Sequence, residues 1–134
     1  MLIEARPALD PELAALVAAQ QHEGGPAFWP DDQAAYVVGT VDGRGVACGA
    51  WRPLPEPGVA ELHRLYVRPS FRGRGLARQM IVTIEEEALA AGRPVMRLMT
   101  ATLSAAAIAL FQSSGYHEVA GPDVFEKRLV ALVQ

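Results

Sequence analysis

RPSFRGRGLARQM, residues 68–80, sets the four arginines Arg68, Arg72, Arg74 and Arg78 around Gly73 and Gly75. It begins where the β-rich run VAELHRLYV (59–67) ends, and it leads into a stretch where Leu76, Met80, Ile84 and Ala88 recur at four-residue spacing. That spacing predicts an amphipathic helix, so the quoted stretch is a strand-to-helix turn. A helix opens with four amide N–H groups that lack intrahelical partners, and its macrodipole adds roughly half a positive charge there. Glycines at 73 and 75 remove side chains that would hold an anion off those amides, while Arg72, Arg74 or Arg78 can supply charge from the rim. The ligand predicted is a diphosphate or a nucleotide derivative.

Outward from this turn the chain reads as one alternating pattern. LIEARPA is a short strand; DPELAALVAAQQ follows as a helix, with Asp10 as N-cap, Pro11 at the first helical position and Leu13, Leu16 and Val17 on one face. Residues 21–33, rich in glycine and proline, form a loop that carries the aromatic pair Phe28 and Trp29. Two β-rich runs flank Asp42-Gly43, a hairpin signal because both central turn positions favour positive φ. After the helix that Gly92 ends, PVMRLMTA is a strand, SAAAIALFQSS a helix ended by Gly115, and YHEVA and VFEKRLVAL two more strands. The predicted order is β-α-β-β-β-α-β-α-β-β, an α/β (α+β) class, with residues 1–134 as a single domain.

Composition excludes several classes. The 134 residues, 51% hydrophobic and 20% charged, suit one core. A net charge of −3 argues against general nucleic-acid binding, so the arginine cluster is a local device. One cysteine, Cys48, precludes an internal disulfide, and His22, His63 and His117 lack metal-site spacing. No metal is expected. Neither a signal peptide nor a membrane span of roughly 20 apolar residues is visible, and a cytoplasmic location is expected.

The Walker pattern fails because Leu76-Ala77 follows Gly75, and the dinucleotide fingerprint lacks its third glycine, Arg78 standing there. What remains is Arg/Gln-x-x-Gly-x-Gly/Ala, met by Arg72, Gly75 and Ala77. With AELHRLYVRPSFRGRGLARQMI, AAAIALFQSSGY and the closing FEKRL, the chain resembles the GNAT superfamily of acyl-coenzyme-A-dependent N-acetyltransferases over essentially its whole length. The resemblance implies a single mixed, mostly antiparallel sheet flanked by helices, with a V-shaped splay beside the central strand. It implies acetyl-CoA as acyl donor, its pyrophosphate on the backbone from Arg72 through Gly73, Arg74, Gly75 and Leu76 to Ala77, with arginine side chains, Arg78 included, near the phosphates. Pantetheine would pair with the backbone of Leu65, Tyr66 and Val67, where an N–H would stabilise the oxyanion. Ser104 stands where the family commonly has a cofactor-contacting asparagine; capping of the following helix explains it equally well.

An amine attacks a thioester only as the free base, so a proton acceptor is needed. Glu61, eleven residues before Arg72, matches the position of the family's catalytic glutamate. His63 shares strand parity with Glu61 and is a candidate substrate contact or secondary base, as well as an ordinary strand histidine. Phe28 and Trp29 would wall the acceptor site or plug the loop. Simple alternation sends Arg64 and Tyr66 to the face opposite Glu61, and Arg52 is placed to reach an acidic acceptor. The family's usual acid, a tyrosine in the last helix, is replaced by Phe111, while Tyr116 takes the packing position after the helix. Cys48, in VACGAW, reads as buried packing. The predicted reaction is direct acetyl transfer to a primary amine of a small molecule or peptide in a ternary complex. The alternative is a non-catalytic acyl-CoA-binding sensor or regulatory module. No nucleic acid or membrane partner is expected, and the resemblance allows a homodimer.

Overall fold

The computed structural model describes residues 1–25, 27 and 31–131. The first helix starts where its cap places it: Asp10 accepts the Leu13 amide at 2.9 Å, and Pro11 fills the first turn where no N–H is needed. Arg6, at the end of β1 (Leu2–Arg6), reaches Asp10 at 3.1 Å and Glu12 at 3.0 Å, joining the strand to α1 (Pro11–His22). β2 (Ala35–Val41) and β3 (Arg44–Pro53) form the expected hairpin, with Asp42 and Gly43 at φ 51° and 79° in its two-residue turn. β4 (Val59–Val67), α2 (Leu76–Ala90), β5 (Val95–Met99), α3 (Ala105–Ser113), β6 (His117–Glu118) and β7 (Val124–Arg128) follow. The predicted element order holds. Two details differ: a single 3-10 turn, Pro69–Phe71, precedes the glycines, and β7 stops at Arg128 rather than running through the apolar tail.

The strands form one seven-stranded sheet in the order β1-β2-β3-β4-β5-β7-β6, antiparallel except for β4 beside β5. Apolar side chains leave both faces of its middle strands. Val37, Trp51, Leu62 and Val67 meet Met80, Ile81 and Ile84 of α2 and Phe111 of α3 on one face. Val38, Cys48, Ala50 and Tyr66 meet Leu13, Leu16 and Val17 of α1 on the other. Burial on both sides explains why AYVVGTV is nearly continuously apolar instead of alternating. Gly49 lets α2 approach closely, since a Cβ there would lie 2.6 Å from Ile84 Cδ1.

Two irregularities in β4 shape everything downstream. Pairing with β3 moves from Ala50 opposite His63 to Cys48 opposite Tyr66, so β4 carries one extra residue, and Arg64 adopts φ 63° there. This is a β-bulge. Pairing with β5 covers only Val59, Ala60 and Glu61 against Val95, Met96 and Arg97. Beyond Glu61 the two strands part, and the β5-facing edge of β4 borders an open wedge.

Candidate active site

The phosphate-type turn folds as its residues dictate. The Arg68 amide donates to Val46 O at 2.8 Å, the 3-10 turn reverses the chain, and Gly73 and Gly75 then take φ 76° and 77°. Gly75 is the N-cap of α2 and offers no side chain to its amides. A Cβ built at either glycine would meet nothing within 4 Å, so both face open space. That space is a cleft of about 840 Å³. Leu65, Tyr66 and Val67 form its strand wall, Arg72, Gly73 and Gly75 its end, and Leu76, Ala77 and Arg78 the opening turn of α2. Ser104 stands across from them on the α3 side, where its hydroxyl caps α3 by accepting the Ala107 amide at 3.1 Å.

The arginine side chains are already engaged by the protein, and Arg72 and Arg78 line the cleft while so engaged. Arg74 does not line the cleft: its guanidinium lies 4.9 Å over the Phe71 ring and donates to Ser70 O at 3.3 Å. Arg72 donates to Val67 O and to Glu23, both at 2.8 Å, and covers the Tyr66 ring at 5.6 Å. Arg78 ties α2 to α3 through Ser113 at 2.6 Å and Ser114 at 3.4 Å. Positive potential in this cleft therefore comes from the backbone end of α2 and from guanidinium groups already held by the protein, not from a ring of extended arginines. Glu23, which the sequence reading passed over as a loop residue, also accepts the Tyr66 hydroxyl at 2.5 Å. The Tyr66 and Arg72 hydrogen bonds hold its carboxyl below the usual range, whereas burial, then Glu23, raises the Tyr66 phenol. An acid just past the end of α1, within reach of the Gly-rich turn, was its only signal.

A second cavity, about 420 Å³, shares Leu65, Tyr66, Arg72 and Ser104 with the first and continues along the wedge to Glu61, His63 and Arg64. Glu61 has a side chain only 15% exposed; its Oε1 accepts from Arg52 Nε at 3.0 Å, and Arg52 Nη1 lies 3.8 Å from Asp31. Arg52 thus engages the protein's own carboxylates. His63 Nε2 is buried and has no hydrogen-bond partner among the described residues. Burial lowers the imidazole pKa, an effect partly offset by Glu61.

The bulge corrects the predicted parity. Tyr66 opposes Cys48 and packs in the α1-side cluster, the face on which Ala50 opposes His63; Tyr66 therefore lies on the same face as Glu61 and His63. Arg64 also turns to α1, donating to Gln20 at 3.2 Å and to Ala27 O. Phe28 and Trp29 lie outside the described residues.

Phe111, Tyr116 and Cys48 pack the core. Phe111 is 2% exposed and meets Tyr116 edge-on at 5.4 Å. Tyr116 packs after α3 as expected and donates to buried Glu85 at 2.8 Å. Cys48 is buried, and burial pushes its thiol up to about 12. Among the described residues no three His, Cys, Asp or Glu side chains converge as a metal site, and no helix is long and apolar enough to cross a membrane.

The family model described as the acetyltransferase (GNAT) family matches residues 5–116. An IAA acetyltransferase of Azospirillum brasilense is 36% identical over 81 residues, covering 60% of this chain and 53% of the relative. The chain spans about half the length of the curated relatives it matches. A Klebsiella pneumoniae protein, to which acyl-CoA N-acyltransferase activity has been ascribed, superposes with a TM-score of 0.81 at 27% identity, covering 96% of this chain and 97% of its own. The PaiA N-acetyltransferase of Thermoplasma acidophilum, solved with coenzyme A, shares the fold at TM-score 0.73 and 16% identity, covering 96% and 100%.

Proposed function

Because this chain belongs to the acetyltransferase (GNAT) family, we propose that it transfers an acetyl group from acetyl-CoA to a primary amine of a small molecule or peptide, by direct attack in a ternary complex. One observation carries this reading. Two adjoining cavities that share Leu65, Tyr66, Arg72 and Ser104 extend from the uncapped, glycine-opened N-terminus of α2, along the unpaired edge of β4, to the carboxylate of Glu61. The open space beyond Gly73 and Gly75 fits a pyrophosphate on the α2 amides. The edge of β4 from Leu65 to Val67 fits the pantetheine amides, and an N–H in that segment would stabilise charge on the thioester oxygen.

Glu61 is the proton acceptor in this reading. It borders the acceptor end of the cleft and is held in place by Arg52, itself anchored by Asp31. The acyl donor is acetyl-CoA, consistent with the coenzyme A bound by the Thermoplasma relative. Arg72, Arg78 and Ser104 then serve as walls that orient the cofactor, and residues 1–134 act as one catalytic domain.

The test is transfer of isotope-labelled acetyl from acetyl-CoA into a mixture of amines and peptides, read by mass spectrometry, with Glu61→Gln alongside. A labelled amine is expected from the native protein. The variant should lose about a hundredfold in kcat while keeping its affinity for coenzyme A. Coenzyme A binding without any labelled product would favour an acyl-CoA sensor instead.

A further inference from the structure

We propose that the acceptor is a free amino acid, and that Arg64 binds its carboxylate while its amine lies toward Glu61. The proposal rests on the transfer reaction proposed above and names the class of its acceptor. Arg52, the arginine expected to meet an acidic acceptor, is held by Glu61 at 3.0 Å and by Asp31 at 3.8 Å. Arg64 reaches the cavity in its stead, through the bulge. Simple alternation from Glu61 would send Arg64 to the α2 face of the sheet. The extra residue in β4 and the φ of 63° at Arg64 turn it toward α1 instead, the face that Glu61 shares. Bulges re-aim side chains beside active sites, and left-handed backbone is uncommon for arginine. The chain adopts that conformation at a position where the guanidinium joins Glu61 in lining the acceptor cavity.

The charges around Arg64 suit a carboxylate ligand. Of the acids that line the cavity, Glu61 is bound by Arg52 at 3.0 Å and Glu23 by Arg72 at 2.8 Å, so each already has a countercharge. Arg64 is half-buried and donates to two neutral oxygens, Gln20 Oε1 at 3.2 Å and Ala27 O. Burial, the largest influence on this guanidinium, lowers its pKa, as it does for any cation drawn from water, and the group stays protonated at pH 7. A carboxylate makes bidentate, charge-assisted bonds with a guanidinium, roughly twice as strong as those of a neutral oxygen, and so competes well with Gln20 and Ala27. The wall beside Arg64 leaves room for it. Gly24 and Gly25 line the same cavity, and a Cβ built at Gly24 would meet nothing within 4 Å. Glu61 and Arg64 lie three residues apart, roughly 10 Å along the strand, so one small molecule meets both. That short span selects a free amino acid over a polypeptide, whose amine and terminal carboxylate are generally far apart.

The decisive measurement is kcat/KM with acetyl-CoA and a panel of free amino acids, their C-terminal amides, alkylamines and peptides, for native protein, Arg64→Gln and Arg64→Lys. Native protein should favour an amino acid over its own amide by about tenfold or more. The amide is the weaker base and holds more free amine at pH 7, so this preference runs against basicity and reports recognition of the carboxylate. In Arg64→Gln the acid-to-amide ratio should fall toward one. Arg64→Lys, which keeps the charge but loses the planar fork, should retain part of it. An unchanged ratio in Arg64→Gln, the result of a purely structural role, overturns the proposal. So does a native protein that turns over amides, alkylamines or peptides better than the free acids, a reading that needs no variant to fold and leaves the transfer reaction standing. A native protein that acetylates nothing in the panel overturns both.

Discussion

Tyr116 donates its phenolic hydrogen bond to Glu85 at 2.8 Å inside the core, and Lys127 completes the cluster from β7 with a 3.0 Å ion pair to the same carboxylate. Burial, then Glu85, raises the phenol pKa well above the usual tyrosine value. This hydroxyl holds α2, β7 and the segment after α3 together. The tyrosine that follows α3 in the chain is thus committed to packing. Tyr116→Phe should cost about 1–2 kcal/mol in urea unfolding and leave kcat within twofold of native. A loss of turnover at unchanged stability would instead assign the phenol to chemistry.

Gly75 separates two effects that a single substitution would confound. Its φ of 77° strains any L-residue, so Gly75→Ala should lose about 1 kcal/mol of stability and bind coenzyme A nearly as well. Gly75→Glu carries the same strain but adds a carboxylate where the cleft is open, and should weaken coenzyme A binding more than about tenfold. Calorimetric titration with coenzyme A distinguishes them; equal affinity in the two variants would place the phosphates elsewhere.

Asp10 provides a pH signature. The Leu13 amide first, and Arg6 second, hold its carboxyl below the ordinary value of 3.8. A depressed folded-state pKa contributes stability that is present in full above the unfolded value and is lost as pH falls through the folded one. Asp10→Ala should therefore unfold about 1 kcal/mol more easily at pH 7, with the gap to native protein closing below roughly pH 4. A gap that persists in acid would mean that the cap acts through something other than its charge.

Local chemistry made most of the fold legible. Asp-Gly encoded the hairpin, Asp10-Pro11 the start of α1, and four-residue apolar spacing the buried face of α2. The Gly73/Gly75 turn was readable because glycine is the residue that enters positive φ without strain, and the structure puts both there. The bulge in β4 was not readable: Arg64, neither glycine, asparagine nor aspartate, occupies positive φ, so no residue type announced that the pleat would change sides. For the same reason Tyr66 was assigned to the wrong face. Spacing predicts which residues stand near a turn but not which carboxylate or ring a guanidinium will meet: Glu23 is far from Arg72 in sequence, and the Phe71 ring, three residues before Arg74, draws that guanidinium aside.

The sheet is, mechanically, two plates joined along a short seam. β1 to β4 form one plate and β5, β7 and β6 the other, and the seam consists of Val59, Ala60 and Glu61 against Val95, Met96 and Arg97. It is riveted at one end. Arg93 donates to the carbonyls of Leu54 and Val59 at 3.0 Å, and Arg97 spans Glu56 on one plate and Glu126 on the other at 2.6 and 2.7 Å. The wedge opens away from that riveted end. Arg93 lines neither cavity, yet it fastens the two plates at the closed end of the wedge, as the pivot of a pair of tongs sits at the end away from the tips.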